Sequence, residues 1–400
     1  MKHLLLRSLV PLAALAAACG PDTDDKSLDQ ATEATLGFVV RDADGQPISG
    51  VETEIGFQNT VPDLAGMARY PELLAGRLTV RASAPGYTGG TAVTEQTIGA
   101  FGSAKITLAP LEPSQHDVGA EIVIGDAEIT VTIPAGSLLL EDGTPAAGNA
   151  DFGWYRGGDA DPVVPGIRTW LRDDQFEEPL DIFAAFELGL PVQEDADGVT
   201  SSLALGEELQ ATVRWVVGDA WPHAEDASLG LYAWDRTEGY WKLSRRLTVV
   251  DGAVEATTRS FGWLAIAAQP PATACVSGRV TGPGGAVSGI EITAADAGYV
   301  GVQRVITGED GTFCAPLHPG ADVALTAWGW SAPGDTLGTG AASTVTGAAA
   351  TCGGCVDVGD VPMTWARDMD GDVFWAGEGD CDDGDPTVNP IDSGDICIGG

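Results

Sequence analysis

Apolar and polar residues alternate along much of the chain with the two-residue period of a half-buried strand. Ala127-Glu-Ile-Thr-Val-Thr-Ile133 is the cleanest case, with Ile129, Val131 and Ile133 on one face, and it ends at Pro134-Ala-Gly136. Further strand-like runs lie at Glu121 to Ile124, Ile182 to Leu188, Leu209 to Val217, Leu229 to Trp234 and Phe261 to Ala267. The pattern predicts an all-β protein built as tandem β-sandwich modules. Its 54 Gly and 24 Pro with 44% apolar content fit many short strands and turns around real cores.

Turn chemistry exposes an internal repeat. Gly37-Phe-Val-Val leads through Gly45-Gln-Pro47 to Gly50-Val-Glu-Thr-Glu-Ile55. Gly278-Arg-Val-Thr leads through Gly285-Ala-Val-Ser to Gly289-Ile-Glu-Ile-Thr293. Each copy then has an acidic-to-Gly turn (Asp63 to Gly66; Asp310-Gly311) and a Gly before a closing strand (Gly76; Gly320). These positions resemble the carboxypeptidase regulatory-like module, a transthyretin-type sandwich, and Ala84-Pro85-Gly86-Tyr87 strengthens the first copy. The resemblance implies a non-catalytic module. In the second copy Ala327-Trp328-Gly329-Trp330 stands instead, and alternation around Gly329 offers Trp328 and Trp330 as an aromatic platform for a glycan; packing in the sandwich core is the competing expectation.

Between residues 114 and 269 no Pro/Gly/Ser linker separates further domains, so one larger β-domain is expected. Ile133-Pro-Ala-Gly-Ser137, Leu231-Tyr-Ala-Trp-Asp235 with Gly239-Tyr-Trp241, and Ser260-Phe-Gly-Trp263 make this region similar to cartilage intermediate layer protein and its bacterial relatives. Those relatives imply an extracellular scaffold. Trp215, Trp221, Trp234, Trp241 and Trp263 are expected to fill its core.

The N-terminus reads as an export signal: Lys2 and Arg7, an apolar run from Leu9 to Ala18, then Cys19. Leu15-Ala-Ala-Ala-Cys19 resembles a lipoprotein box, which implies cleavage before Cys19 and acylation of its thiol; an ordinary signal cut after Ala18 is the alternative. The expected division is therefore a signal peptide (1–18), a lipid-anchored acidic tether (19–35), a first sandwich (36–113), the larger β-domain (114–269), a second sandwich with disulfides (270–364) and an acidic tail (365–400). The membrane is then a partner through Cys19, and the location is the bacterial outer membrane or cell surface, with secreted or periplasmic as the alternative.

Export turns the remaining cysteines into disulfide candidates: Cys275, Cys314, Cys352, Cys355, Cys381 and Cys397. Cys381 and Cys397 form the natural tail pair. The other four allow three connectivities, and Cys352-Gly-Gly-Cys355 also has the spacing of a redox motif or half a zinc site.

The formal net charge of −38 excludes nucleic acid as a partner, because a polyanion needs a basic footprint. Part of that charge is concentrated after Arg367. Carboxylates at Asp368, Asp370 and Asp372 can wrap a hard cation, as in the first half of an EF-hand loop, although Val373 stands where that loop needs Gly and Gly379 where it needs Glu. With Asp380-Cys-Asp-Asp383, Asp385-Pro and Cys397, the segment is similar to a metal-binding repeat of secreted bacterial proteins. The resemblance implies calcium, with Asp368, Asp370, Asp372, Glu378, Asp380 and Asp383 as ligands.

Catalytic constellations are thin. His223-Ala-Glu225-Asp226 lacks the second His of a zinc-protease helix, His116 and Asp117 have no Gly-x-Ser-x-Gly elbow to serve, and no catalytic residue is assigned. The expected function is a non-enzymatic surface scaffold or adhesion-type binding protein with a glycan or protein partner. A carbohydrate-binding surface protein is the alternative, and a hydrolase in residues 114–269 would need two carboxylates converging in one pocket.

Overall fold

The computed structural model describes residues 33–367, apart from residues 57, 63–65, 75, 97–100, 166–168, 172–176, 190, 195–199, 207–208, 219–220, 222, 224, 227, 271, 331–335 and 349–351. All regular structure among them is β, and none of them forms a helix long and apolar enough to cross a membrane.

The two repeat copies fold on the same strand order. In the first, Glu33–Asp42 is the centre of a three-stranded sheet, antiparallel to Met67–Leu74 and parallel to Phe101–Leu108. The facing sheet runs Gln58–Thr60, Glu52–Ile55, Gly76–Ser83, Gly90–Gln96. In the second, Ala274–Gly282 lies antiparallel to Thr312–Leu317 and parallel to Val356–Pro362. Its facing sheet runs Gln303–Ile306, Glu291–Asp296, Asp322–Trp330, Thr336–Val345, with Thr364–Arg367 added at the edge. The match extends to single peptides: the amide of Val40 donates to the Gly66 carbonyl, and that of Val280 to Gly311. Both glycines have φ near +74° (+75° and +73°), and a Cβ on either would fall on the carbonyl oxygen of the same valine, at 2.2 and 2.8 Å. Only glycine fits both the angle and the gap.

The middle unit has two main layers. A five-stranded antiparallel sheet (Val249–Val250, Ala253–Thr258, Ala211–Val216, Ile129–Ile133, Ile122–Gly125) packs on a larger sheet whose central strands are Asn149–Gly157, Asp181–Leu188, Gly262–Ala268, Gly230–Asp235 and Tyr240–Arg246. Ile129, Val131 and Ile133 are buried as their alternation predicts, against Phe152, Trp154, Phe186, Leu231 and Ile266. The opposite face of the larger sheet carries a second core with Ile182, Tyr232, Trp234, Trp241, Trp263 and Ala265. Burial on both faces explains why Asp181–Leu188 and Gly262–Ala268 read as nearly unbroken apolar runs. The tryptophans follow suit: Trp215, Trp234, Trp241 and Trp263 are buried, while Trp221 is half-buried against Phe183 and Trp215.

Candidate functional site

Buried carboxylates, rare in any core, are concentrated where the three units meet. Glu187 ends an apolar strand of the middle unit and is 2% exposed. Both its oxygens accept the Gly89 amide, at 3.0 and 2.9 Å, just beyond the Ala84-Pro-Gly-Tyr87 turn of the first unit. Arg236 adds a 2.7 Å ion pair. Burial pushes the Glu187 carboxyl up to about 7, with Arg236 and the Gly89 amide pulling the other way. Around it Trp263 donates to the Gly89 carbonyl at 2.9 Å, Trp234 donates to the Thr91 hydroxyl at 3.1 Å, and the Arg77 guanidinium lies 3.8 Å over the Tyr240 ring.

The middle and third units are joined through His318. Its Nε2 is 2.9 Å from Asp181 and its Nδ1 2.6 Å from Asp296, and all three side chains are buried. Tyr299 stacks on the imidazole with ring centroids 3.3 Å apart. Each ring nitrogen faces one carboxylate, so the imidazole bridges the middle and third units. Beside it the Ala160 amide donates to Tyr299 and Gly301 to Gly158.

Glu291 serves the contact between first and third units. Its Oε2 accepts the Lys105 amide at 3.1 Å and its Oε1 lies 3.6 Å from Arg304, which donates to the Pro162 carbonyl at 2.7 Å. Every pair of units therefore shares at least one buried carboxylate.

This contact also settles the tryptophan pair. Trp328 and Trp330 are 8% and 3% exposed, and the Trp330 amide donates to the Ser103 hydroxyl of the first unit. A glycan platform needs open ring faces, so the expected platform is corrected to a packed interface. The reason is the neighbouring unit, which covers the end of a strand that would be open in an isolated sandwich.

Cys275 bonds Cys355 and Cys314 bonds Cys352. The Cys-x-x-Cys residues are thus bonded to two different neighbours on adjacent strands, not to each other. All four sulfurs lie within 4.8 Å of one another, but as disulfides they are no longer thiolate ligands. Cys19, Cys381, Cys397 and the tail carboxylates Asp368, Asp370, Asp372, Glu378, Asp380 and Asp383 lie outside the described residues. His116 packs edge-on against Phe152, and His223 lies against Phe183 and Trp221.

A cavity of about 690 Å³ opens beside the Glu187–Arg236 pair, with Asp151 also in its lining. Both oxygens of Glu187 are already occupied by Gly89 and Arg236, and Asp151 accepts from Gln115, so the two acids are held by partners of their own rather than facing each other across a free gap as glycosidase carboxyls do. The sequence held a signal for Glu187, an acid interrupting the apolar run that starts at Ile182, but none that paired it with Gly89.

The sheets and joints define a protein of all-β units locked to one another through buried ionic contacts. No protein-family model matches the chain, and no curated protein does. Among solved structures it is similar to the TIE protein of Bacillus anthracis (10% identity, 83% of this chain and 51% of that one, TM-score 0.19), so the chain spans about half of that protein's length. It is also similar to the major pilin SpaD of Corynebacterium diphtheriae (12%, 83% and 97%, TM-score 0.19) and to the major pilin BcpA of Bacillus cereus (8%, 83% and 99%, TM-score 0.18). Scores this low carry no argument about fold or function; the all-β class rests on the strands themselves.

Proposed function

We propose that the chain is a non-enzymatic scaffold of the bacterial surface, exported, lipid-anchored at Cys19 and ending in a calcium-binding tail. The observation that supports this best is the use of its buried ionisable groups. Glu187, Asp181, Asp296, His318 and Glu291 are engaged in holding units together, the arrangement of a structural body rather than of a reaction centre. Two disulfides in the third unit suit an oxidising compartment. Asp368, Asp370, Asp372, Glu378, Asp380 and Asp383 are the proposed calcium ligands, and a protein or glycan is the proposed adhesion partner. With Trp328 and Trp330 buried, the carbohydrate reading has no platform in that pair.

Mass spectrometry of the mature N-terminus from bacterial membranes tests the anchor: a diacylglyceryl group on Cys19 is expected, and an unmodified thiol overturns it. Calorimetry of the full, oxidised chain tests the tail. Calcium should bind and Asp370→Asn with Asp372→Asn should weaken it at least tenfold; no heat at millimolar calcium overturns this assignment.

A further inference from the structure

The 690 Å³ cavity between first and middle units has the size of a small-molecule pocket. Tyr87, Leu111, Val192 and Phe261 give it a largely apolar lining. Its charged groups are unequal in what they have left to offer. Both oxygens of Glu187 are taken, and Asp151, on the exposed rim, accepts from Gln115 at 3.0 Å. Arg236 spends one terminal nitrogen on Glu187 and makes no other hydrogen bond or ion pair among the described residues. Most donors of its planar fork are therefore open. Glycines keep the space around the guanidinium clear: a Cβ at Gly89 would strike it at 2.0 Å, and one at Gly262 would come within 3.8 Å.

We propose that this cavity binds a small organic acid, its apolar body held among Tyr87, Leu111, Val192 and Phe261 and its carboxylate on the open fork of Arg236. A carboxylate matches two parallel guanidinium N–H groups in a way that a hydroxyl or a cation does not. The chain's negative charge opposes any anion at long range. Selectivity therefore comes from the local fork and the shape of the apolar walls. Because the walls come from both units, an occupant that binds only the folded joint also stabilises it.

The probe is 2-naphthoate, compared with its neutral relative 2-naphthalenemethanol, by calorimetry and thermal unfolding of the full chain. Naphthoate should bind one per chain, raise the unfolding temperature and bind about tenfold or more tighter than the alcohol. Arg236→Gln should erase that difference. Val192→Trp, which adds bulk to a wall and leaves the ion pair in place, should weaken both ligands. Equal affinities on the unaltered chain, no binding at millimolar naphthoate, or binding indifferent to Val192→Trp overturns the proposal, and the first two outcomes need no variant to fold.

Discussion

Glu187 and Trp263 are directly opposite on neighbouring antiparallel strands, and together they grip one residue of another unit. Glu187 takes the Gly89 amide while Trp263 donates to the Gly89 carbonyl. A cross-strand pair thus does for a foreign turn what a third strand would do by backbone pairing. Trp263→Phe keeps most of the packing but leaves the buried Gly89 carbonyl without its indole donor, a loss of about 1–3 kcal/mol. The expected readout is a lower urea midpoint, with earlier proteolytic release of the first unit; an unchanged midpoint argues against the grip.

The Glu187 carboxyl also sets a pH dependence. Its folded value is raised to about 7 from an ordinary 4.5, so between those values the folded state holds a proton that the unfolded state has released. Stability therefore falls as pH rises from about 4.5 to 7, by on the order of 3 kcal/mol from this group. Glu187→Gln should remove that slope. Urea melts at pH 5 and pH 7.5, on both chains, read it directly.

His318 separates two buried carboxylates. His318→Ala removes the imidazole that bridges Asp181 and Asp296 while keeping the residue-318 amide that donates to Asp296, and breaking a buried ionic cluster costs about 3–5 kcal/mol. Asp181→Asn combined with His318→Ala should be less destabilising than the two single changes summed. Additive losses in this cycle show that the contact carries no coupling.

The disulfides cross the Cys-x-x-Cys spacing. Peptide mapping without reduction should recover Cys275 with Cys355 and Cys314 with Cys352, at sequence separations of 80 and 38. Loop-closure entropy assigns about 4 kcal/mol to each taken singly. Cys314→Ser with Cys352→Ser should lower the unfolding midpoint accordingly, and a recovered Cys352 to Cys355 peptide contradicts the pairing.

Strand content and the repeat were legible because each depends on local chemistry. The alternation of Ile129, Val131 and Ile133 needs one buried face, and Gly66 and Gly311 need a backbone that other residues avoid. The joints depend instead on residues far apart in sequence. Nothing near Asp296 announces His318 or Asp181, and nothing near Trp330 announces Ser103. Trp328 and Trp330 are the instructive case: their alternation gave the right local geometry, and the adjacent unit decided what that geometry was for.

In both repeat copies a late strand lies parallel to the first one, Phe101–Leu108 beside Glu33–Asp42 and Val356–Pro362 beside Ala274–Gly282. Chain leading into such a pair and chain leading out of it depart from opposite ends of the same ladder. Tension along the chain then slides the two strands past each other and loads all their hydrogen bonds at once, rather than opening them one by one. When tension acts between the two ends of such a pair, the ladder resists in shear rather than by unzipping.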